Sequence, residues 1–391
     1  MQHVDTTHLT LWKNCTPCAS GISVIIPNYN GEKVLKFSLT SLANQTLPKR
    51  MYEVIVVDNA STDGSLRVVE EVKKNHPELA IRVIRLRKNL GYGRAVNVGA
   101  LNAKFDLILA SNNDIIFHPK YLENLYKTYC RAKRLDGRVA AAQGLHMYYP
   151  EVNCIYNAGG LFWILSGRYR FYGACLTKDE FSKIMEWARE ERTGFGYIAF
   201  PNGAGALIEK EVFLKVGGYY RLYFSGVEEI DLGLLLHLLG FRVIFAPSAV
   251  LYHMESYTLG GRALLQVPHK LYLVLTGIFI YIISLYDKSL WLMKSTLAYI
   301  TVLTSIFMYS AIKRAKILAW IGIKTINLNL KMWNVLLCRR SRIIGMKKMN
   351  VKEVFLYINS INKYLKFADL LSNSIKRRLK AKVEQSSMGN R

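Results

Sequence analysis

Four short polar clusters each follow an apolar run in the first third of the chain: "PNYN" from Pro27, "DNAST" from Asp58, "RKNLGYG" from Arg87 and "SNND" from Ser111. Together they predict a nucleotide site. Asp58 comes after four consecutive apolar residues, and an ionised carboxylate, which only accepts hydrogen bonds, suits the imide N–H of a pyrimidine. Asp58 and Asn59 also suit a simple turn, so for this pair alone both readings stay open. Asp114, in "DLILASNNDIIF", is the candidate metal ligand, because a cation on a diphosphate takes only one or two protein ligands and completes its shell with phosphate and water. His253, in "VLYHMES", is a second candidate; imidazole suits Mn2+ better than Mg2+, although a histidine at a strand end also serves structure. Glu228, Glu229 and Asp231 cluster at a predicted helix start. Acids there complement the helix dipole, and one of them could be a general base within hydrogen-bond reach of an attacking hydroxyl. Their spacing does not choose among the three.

These residues need a frame that gathers strand ends. From Ile22 the runs "SVIIP", "EVIVVD", "IRVIRL" and "FDLILA" read as strands. Between them lie helical patterns: "EKVLKFSLTSLANQ" with Val34, Phe37, Leu39 and Leu42 near one face, "TDGSLRVVEEVKK" with Asp63 as N-cap, and "GRAVNVGALNA". Strand and helix in alternation with short connections predict a mostly parallel sheet with helices on both faces. Ligands of such sheets bind beyond the carboxyl ends of the strands. "NLGYGRAVNVG" is a poor dinucleotide motif because it follows the third strand rather than the first; Gly91 and Gly93 read instead as permitting close backbone approach at a helix start whose N–H groups could face an anion. Residues 138–200 are predicted to be sheet extension and loops, followed by a helix from Glu228 to Leu239 with Ser225 and Glu228 spaced as a capping box and Gly240 as its stop.

The 391 residues, 51% hydrophobic and 21% charged, describe a folded protein with net charge +25. Residues 266–391 hold 22 Lys+Arg against 4 Asp+Glu, which divides the chain into an N-terminal extension (1–20), a catalytic domain (21–265) and a basic helical region (266–391). In that region the cations alternate with apolar runs such as "LYLVLTGIFIYIISLY", which favours an anionic membrane surface over nucleic acid. The uncharged runs Leu271–Tyr286 and Ser295–Ile312, 16 and 18 residues long, fall short of the roughly 20 residues of a span. The expectation is helices lying in the interface, with a short transmembrane hairpin as the alternative. No basic start followed by an apolar stretch is visible at the N-terminus, so the folded part is expected at the cytoplasmic face. Among the six cysteines only Cys15 and Cys18 are close, and a lone C-x-x-C predicts reduced thiols rather than zinc.

Taken in order, "SVIIPNYNGEKVLKFSLTSLANQTL", "YEVIVVDNASTDGS", "NLGYGRAVNVGA", "SNNDI", "GAGALIEKEVFLKVGGY" and "EEIDLGLLLHLLGFRVIFAPSAVLYH" resemble the family 2 inverting glycosyltransferases of GT-A fold, in particular the rhamnosyl- and galactofuranosyltransferase-like branch, over about residues 21 to 256. The resemblance implies a nucleotide-sugar donor, a divalent cation on its diphosphate, and one-step displacement with inversion onto a glycan or lipid-linked glycan acceptor. It also implies roles. Pro27, Asn28 and Tyr29 would line the nucleoside pocket, Asp58 with Asn59 would read the base, and Asn89 and Gly91 would approach the nucleotide. Asn112, Asn113 and Asp114 take the D-x-D position, His253 that of the metal-associated histidine, and Glu229 that of the usual general base, with Glu228 able to share the role. Two positions depart from the branch: Glu229 is usually Asp, and Leu235 is often Arg. No Q-x-x-R-W segment follows, which argues against a processive synthase, and "PNYNGEK" lacks the glycine-rich loop of a nucleotidyltransferase. A membrane-anchored, inactive binding protein is the alternative that the two departures allow.

Overall fold

The computed structural model describes residues 18–150, 154–163, 168–171, 194–224, 226–254, 268–286, 290–312 and 316–361. Four strands, β1 (Ile22–Asn28), β2 (Tyr52–Asp58), β3 (Ile81–Arg85) and β4 (Leu107–Ser111), run parallel in the order β3-β2-β1-β4. β1, β2 and β4 are buried along their whole length, as continuous apolar runs in a doubly covered sheet must be. β3 is the edge, and its Arg82 and Arg85 are exposed.

Helices α1 (Glu32–Ala43), α2 (Ser65–Asn75) and α4 (Tyr121–Leu135) share one core with the sheet, built on Leu35, Leu39, Val69, Val72, Leu122 and Leu125. The opposite face carries α3 (Tyr92–Leu101), α5 (Lys210–Lys215) and α6 (Glu228–Leu238) through Ala95, Val96, Phe213, Leu232 and Leu236. Helices therefore do cover both faces. Phe37 leaves its predicted stripe and is 52% exposed, because Leu35 faces the sheet instead. Asp63 stands one residue before the N-cap Gly64; its carboxylate accepts the N–H groups of Ser65 and Glu32, at 3.0 and 2.9 Å, and so ties α2 to α1.

Beyond β4 the sheet departs from expectation. β11 (Gly205–Glu209) lies antiparallel between β4 and β6 (Val139–Tyr148), β12 (Arg242–His253) runs parallel to β6, and β10 (Gly196–Ile198) adds antiparallel to β12. β5 (Ile115–Phe117) and β7 (Ile155–Asn157) join antiparallel to β12 and β6, and β8 (Gly160–Trp163) forms a separate hairpin with β9 (Arg168–Phe171). The sheet is mixed rather than mostly parallel. The chain turns back after Ser111 into β5 without a crossover helix, and β11, much later in the chain, fills the exposed edge of β4 from the other direction.

The basic region is not a separate module. α7 (Pro268–Leu285), α8 (Leu290–Ile312), α9 (Lys316–Met346) and the helical residues 351–361 build a third core with α6. Ile280, Tyr281, Ile282 and Ile283 of α7 pack with Ile230, Leu234 and Leu238 of α6 and with Ile321 and Leu336 of α9. This explains why α6 is buried on the sheet side and the tail side alike, with Glu229 alone in the helix left partly exposed. The N–H groups of Lys348 and Met349 both donate to the Leu238 carbonyl at 2.9 Å. The run Leu271–Tyr286, expected in a membrane interface, thus supplies protein core, and among the described residues no helix is long and apolar enough to cross a membrane. Cys18, expected as a reduced thiol, is disulfide-bonded to Cys130 on α4; Cys15 lies outside the described residues.

Candidate active site

The ends of β1, β2 and β4 meet through side chains. Asn28 accepts Asn113 Nδ2 at 2.8 Å on its Oδ1 and donates to Ser61 Oγ at 3.1 Å. Gly31 completes the junction: a Cβ there would come within 2.3 Å of both Asn113 Nδ2 and Asn28 Oδ1. Pro27 and Asn28 are buried within β1, whereas Tyr29 is 45% exposed, free to offer its ring to a base. Asp58 is buried; its Oδ2 accepts Ser61 N–H at 3.3 Å and its Oδ1 has no partner. A buried acceptor without a donor is costly, and an incoming N–H would relieve it. Asn59 links β2 to the next cluster by accepting Leu90 N–H at 3.2 Å.

That cluster is arranged differently from expectation. Asn89 Oδ1 accepts Gly91 N–H at 2.9 Å. Gly91, at φ 84°, allows a close approach by Phe224, whose carbonyl oxygen would lie 2.2 Å from a Cβ and accepts Tyr92 N–H at 2.9 Å. The N–H groups of Gly91 and Tyr92 are therefore committed to the chain itself, and Gly91 admits the loop before α6.

"SNND" is held as a turn by Ser38 of α1, whose hydroxyl lies 2.8 Å from the Asn113 carbonyl and 2.6 Å from that of Ile115 and accepts Ile115 N–H at 3.1 Å. The turn aims Asp114 at β12, where His253 pairs in register with Ile115 and Met254 N–H donates to the Asp114 carbonyl at 3.1 Å. Asp114 Oδ1 lies 3.3 Å from His253 Nε2, and Asn112 Nδ2 lies 3.4 Å from the same nitrogen. Both side chains are buried, and Asp114 Oδ1 and His253 Nδ1 have no hydrogen-bond partner. One carboxylate and one imidazole fit a divalent cation whose remaining ligands come from phosphate and water. No group of three or more such side chains occurs among the described residues. His146, paired with Leu251 in the adjacent strand, is buried with both ring nitrogens unpartnered; burial, with His253 nearby, pushes it down to about 3, so it stays neutral.

The predicted acids begin α6. The helix starts abruptly, from Val227 in a left-handed conformation at φ 64°, with no side-chain cap; Ser225 lies outside the described residues. Glu228 is buried with Oε2 unpartnered, and burial followed by the neighbouring Glu229 raises it well above the carboxylate range. Glu229 is half-buried and raised by burial to about 7. The two adjacent carboxyls are thus both raised by burial and titrate as a pair rather than singly, which makes them candidates for a general base. Glu228 packs near α3, where a Cβ on Gly93 would lie 3.9 Å from its Cγ. The preceding Tyr92 donates its hydroxyl to Gly203, two residues before Gly205, which pairs with Ser111 at the end of β4. Tyr92 thus ties the start of α3 to the turn that leads into β11.

Asp231 is not brought to this crevice. Its carboxylate receives Arg339 of α9 on both oxygens, at 2.8 and 2.5 Å, and the Tyr223 hydroxyl at 3.0 Å. A carboxylate so committed is a structural ion pair rather than a base. Arg339 is the participant that sequence reasoning missed, and 108 residues separate it from Asp231.

Residues 23–213 match the family Glycosyl transferase family 2, so the chain carries a family 2 glycosyltransferase domain. It is 32% identical over 124 residues to dolichyl N-acetyl-alpha-D-glucosaminyl phosphate 3-beta-D-2,3-diacetamido-2,3-dideoxy-beta-D-glucuronosyltransferase of Methanococcus voltae, covering 32% of this chain and 38% of that protein's length. It is 25% identical over 251 residues to N-acetylglucosaminyl-diphospho-decaprenol L-rhamnosyltransferase of Mycobacterium tuberculosis, covering 61% and 78% of the two chains. In fold it is similar to GalNAc-T7, solved with UDP, GalNAc and Mn2+, at TM-score 0.53 and 18% identity over 70% of this chain and 49% of that one. The mixed α/β sheet is accordingly GT-A-like.

Proposed function

We propose that the protein transfers a sugar from a nucleotide-sugar donor to a glycan or lipid-linked glycan acceptor by a single displacement with inversion. The observation that carries this reading is the Asp114–His253 pair, 3.3 Å apart at the carboxyl ends of the strands with unpartnered atoms on both side chains. Asp58 Oδ1 accepts a hydrogen bond from the base, Tyr29 covers its ring, and Asp114 with His253 holds the cation. When bound, a divalent cation neutralises the donor's diphosphate. Glu229 takes the proton of the acceptor hydroxyl as the new C–O bond forms at the anomeric carbon and the bond to the diphosphate breaks; the nucleoside diphosphate leaves on the opposite face. Glu228, protonated, keeps a second negative charge away from that base. Two relatives are named for acceptors on dolichyl phosphate and diphospho-decaprenol, which supports a lipid-linked acceptor here.

Thermal stabilisation by UDP, dTDP and GDP, each with and without Mn2+, tests the donor site. One nucleotide is expected to stabilise the wild type, by about 2.7 kcal/mol at a hundredfold excess over Kd, with the Mn2+-dependent part absent from Asp114→Ala. No stabilisation by any nucleotide in either condition would overturn the reading.

A membrane contact is proposed on the outer faces of α8 and α9. Met293, Leu297 and Ile300 on α8 and Trp320, Ile323 and Leu330 on α9 are each more than half exposed, and the Lys324 ammonium lies 4.6 Å from the Trp320 ring centroid. Apolar side chains ringed by lysines suit the anionic headgroup layer of a cytoplasmic leaflet. Co-sedimentation with vesicles is expected to need anionic lipid and to weaken about tenfold in Ile323→Glu/Leu330→Glu. Folding should stay within about 0.5 kcal/mol of wild type because neither residue is buried. Equal binding to neutral vesicles, or no loss in the double variant, would remove this face as the contact.

A further inference from the structure

A cavity of about 220 Å³ opens between the β3–α3 loop and the segment before α6, and Lys88, Arg94 and Arg221 line it with no carboxylate among its walls. Leu222, Tyr223 and Phe224 supply the rest of one wall. The cations come from two stretches of chain that the fold brings together, and Arg94 Nε fixes the geometry by donating to the Arg221 carbonyl at 2.8 Å. The wall is fixed as well: Tyr223 donates to Asp231, and the Phe224 carbonyl holds Tyr92 N–H. Uncompensated positive charge in a concave site selects anions, and two guanidinium groups with an ammonium match phosphate oxygens. Asp114 and His253 are not among the residues that line this cavity, whereas Asn89 and Leu90 of the β3–α3 loop are. The cavity abuts the segment that leads through Val227 to Glu229. On its tail side, α7 comes close enough that a Cβ on Gly277 would lie 1.9 Å from Val227 Cγ2 and 3.3 Å from the Tyr223 ring.

We propose that this cavity is a second anion site, which takes the phosphate or diphosphate of the acceptor and presents the acceptor's hydroxyl to Glu229, with the apolar substituent leaving past Leu222 and Phe224 toward the helical tail. The inference rests on the transferase reading and adds to it the class of acceptor: a sugar linked through phosphate to an apolar chain. The same chemistry could come from the donor's own diphosphate, and the experiment separates the two.

Affinity for farnesyl diphosphate is measured by calorimetry in wild type, Arg221→Ala and Lys88→Ala/Arg221→Ala, beside the nucleotide stabilisation described above; Arg94 is left in place because it shapes the loop. Expected are saturable binding of farnesyl diphosphate, competition by inorganic pyrophosphate, a loss of about tenfold per cation removed, and unchanged metal-dependent stabilisation by the nucleotide. Unchanged farnesyl diphosphate affinity in the double variant would overturn the proposal. So would parallel loss of nucleotide stabilisation, which would assign the cations to the donor. Failure of the transferase reading looks different: no nucleotide stabilises even the wild type.

Discussion

Glu229→Gln is expected to lower turnover by about 10²- to 10⁴-fold, the range of general-base catalysis, while leaving metal-dependent nucleotide stabilisation intact. The substitution keeps size and hydrogen-bonding capacity and removes only the basic electron pair. A loss confined to kcat, with donor affinity unchanged, marks an interaction made in the transition state. Equal loss of nucleotide binding would place Glu229 in the donor site instead. The pH dependence follows from the same residue. Burial raises Glu229 to about 7, and the base works ionised, so wild-type turnover should climb as pH rises through about 7. Stability runs the other way. A carboxyl raised on folding binds more protons in the native than in the unfolded state, so stability falls as pH rises from the ordinary carboxylate range through about 7. Glu229→Gln removes that residue's part of the fall, leaving the part due to Glu228, and should unfold at a higher temperature than wild type at pH 8 but not at pH 4.

Much of the donor end could be read from sequence because its signals are local. Asp58 and Asp114 each close an apolar run, and a parallel strand ends where its apolar run ends, so their place at the carboxyl edge follows from period and topology alone. The four parallel strands and the helix after each of the first three come from the same information. What was not legible depends on distant chain. Nothing near Ser111 indicates that β11 will return antiparallel along β4, so the mixed sheet was read as mostly parallel. Gly91 signals a close approach but not by what, and the partner proved to be Phe224, far along the chain. The run Leu271–Tyr286 has a composition that suits either a bilayer interface or a protein core. Only the matching apolar surface of α6, hidden in a helix that already had a sheet to cover, tells the two apart.

Arg339→Ala should be among the most destabilising single changes in the chain, about 3–5 kcal/mol by chemical denaturation, the cost of leaving one partner of a buried ion pair uncompensated. Asp231 is 1% exposed and would be left with Tyr223 as its remaining partner. Arg339 also donates to Ser284 of α7 at 2.9 Å and stacks its guanidinium 4.0 Å from the Tyr220 ring centroid, so its removal loosens α6, α7 and α9 together. The double variant Asp231→Leu/Arg339→Met, which removes both charges, should recover most of the loss; a double variant as unstable as Arg339→Ala would show that packing, not charge, is the source. The pair also bears on Leu235, where the branch that this sequence resembles often has Arg. Residues 231 and 235 are four apart on α6, the spacing at which a helical Asp and Arg meet. In this chain the tail supplies the guanidinium from α9, and position 235 is released to be a buried leucine of the tail's own core. Arg339 of the tail thus gives Asp231 a guanidinium that position 235 does not supply. It makes the basic helices part of what holds the helix of Glu229, two residues from Asp231, in place.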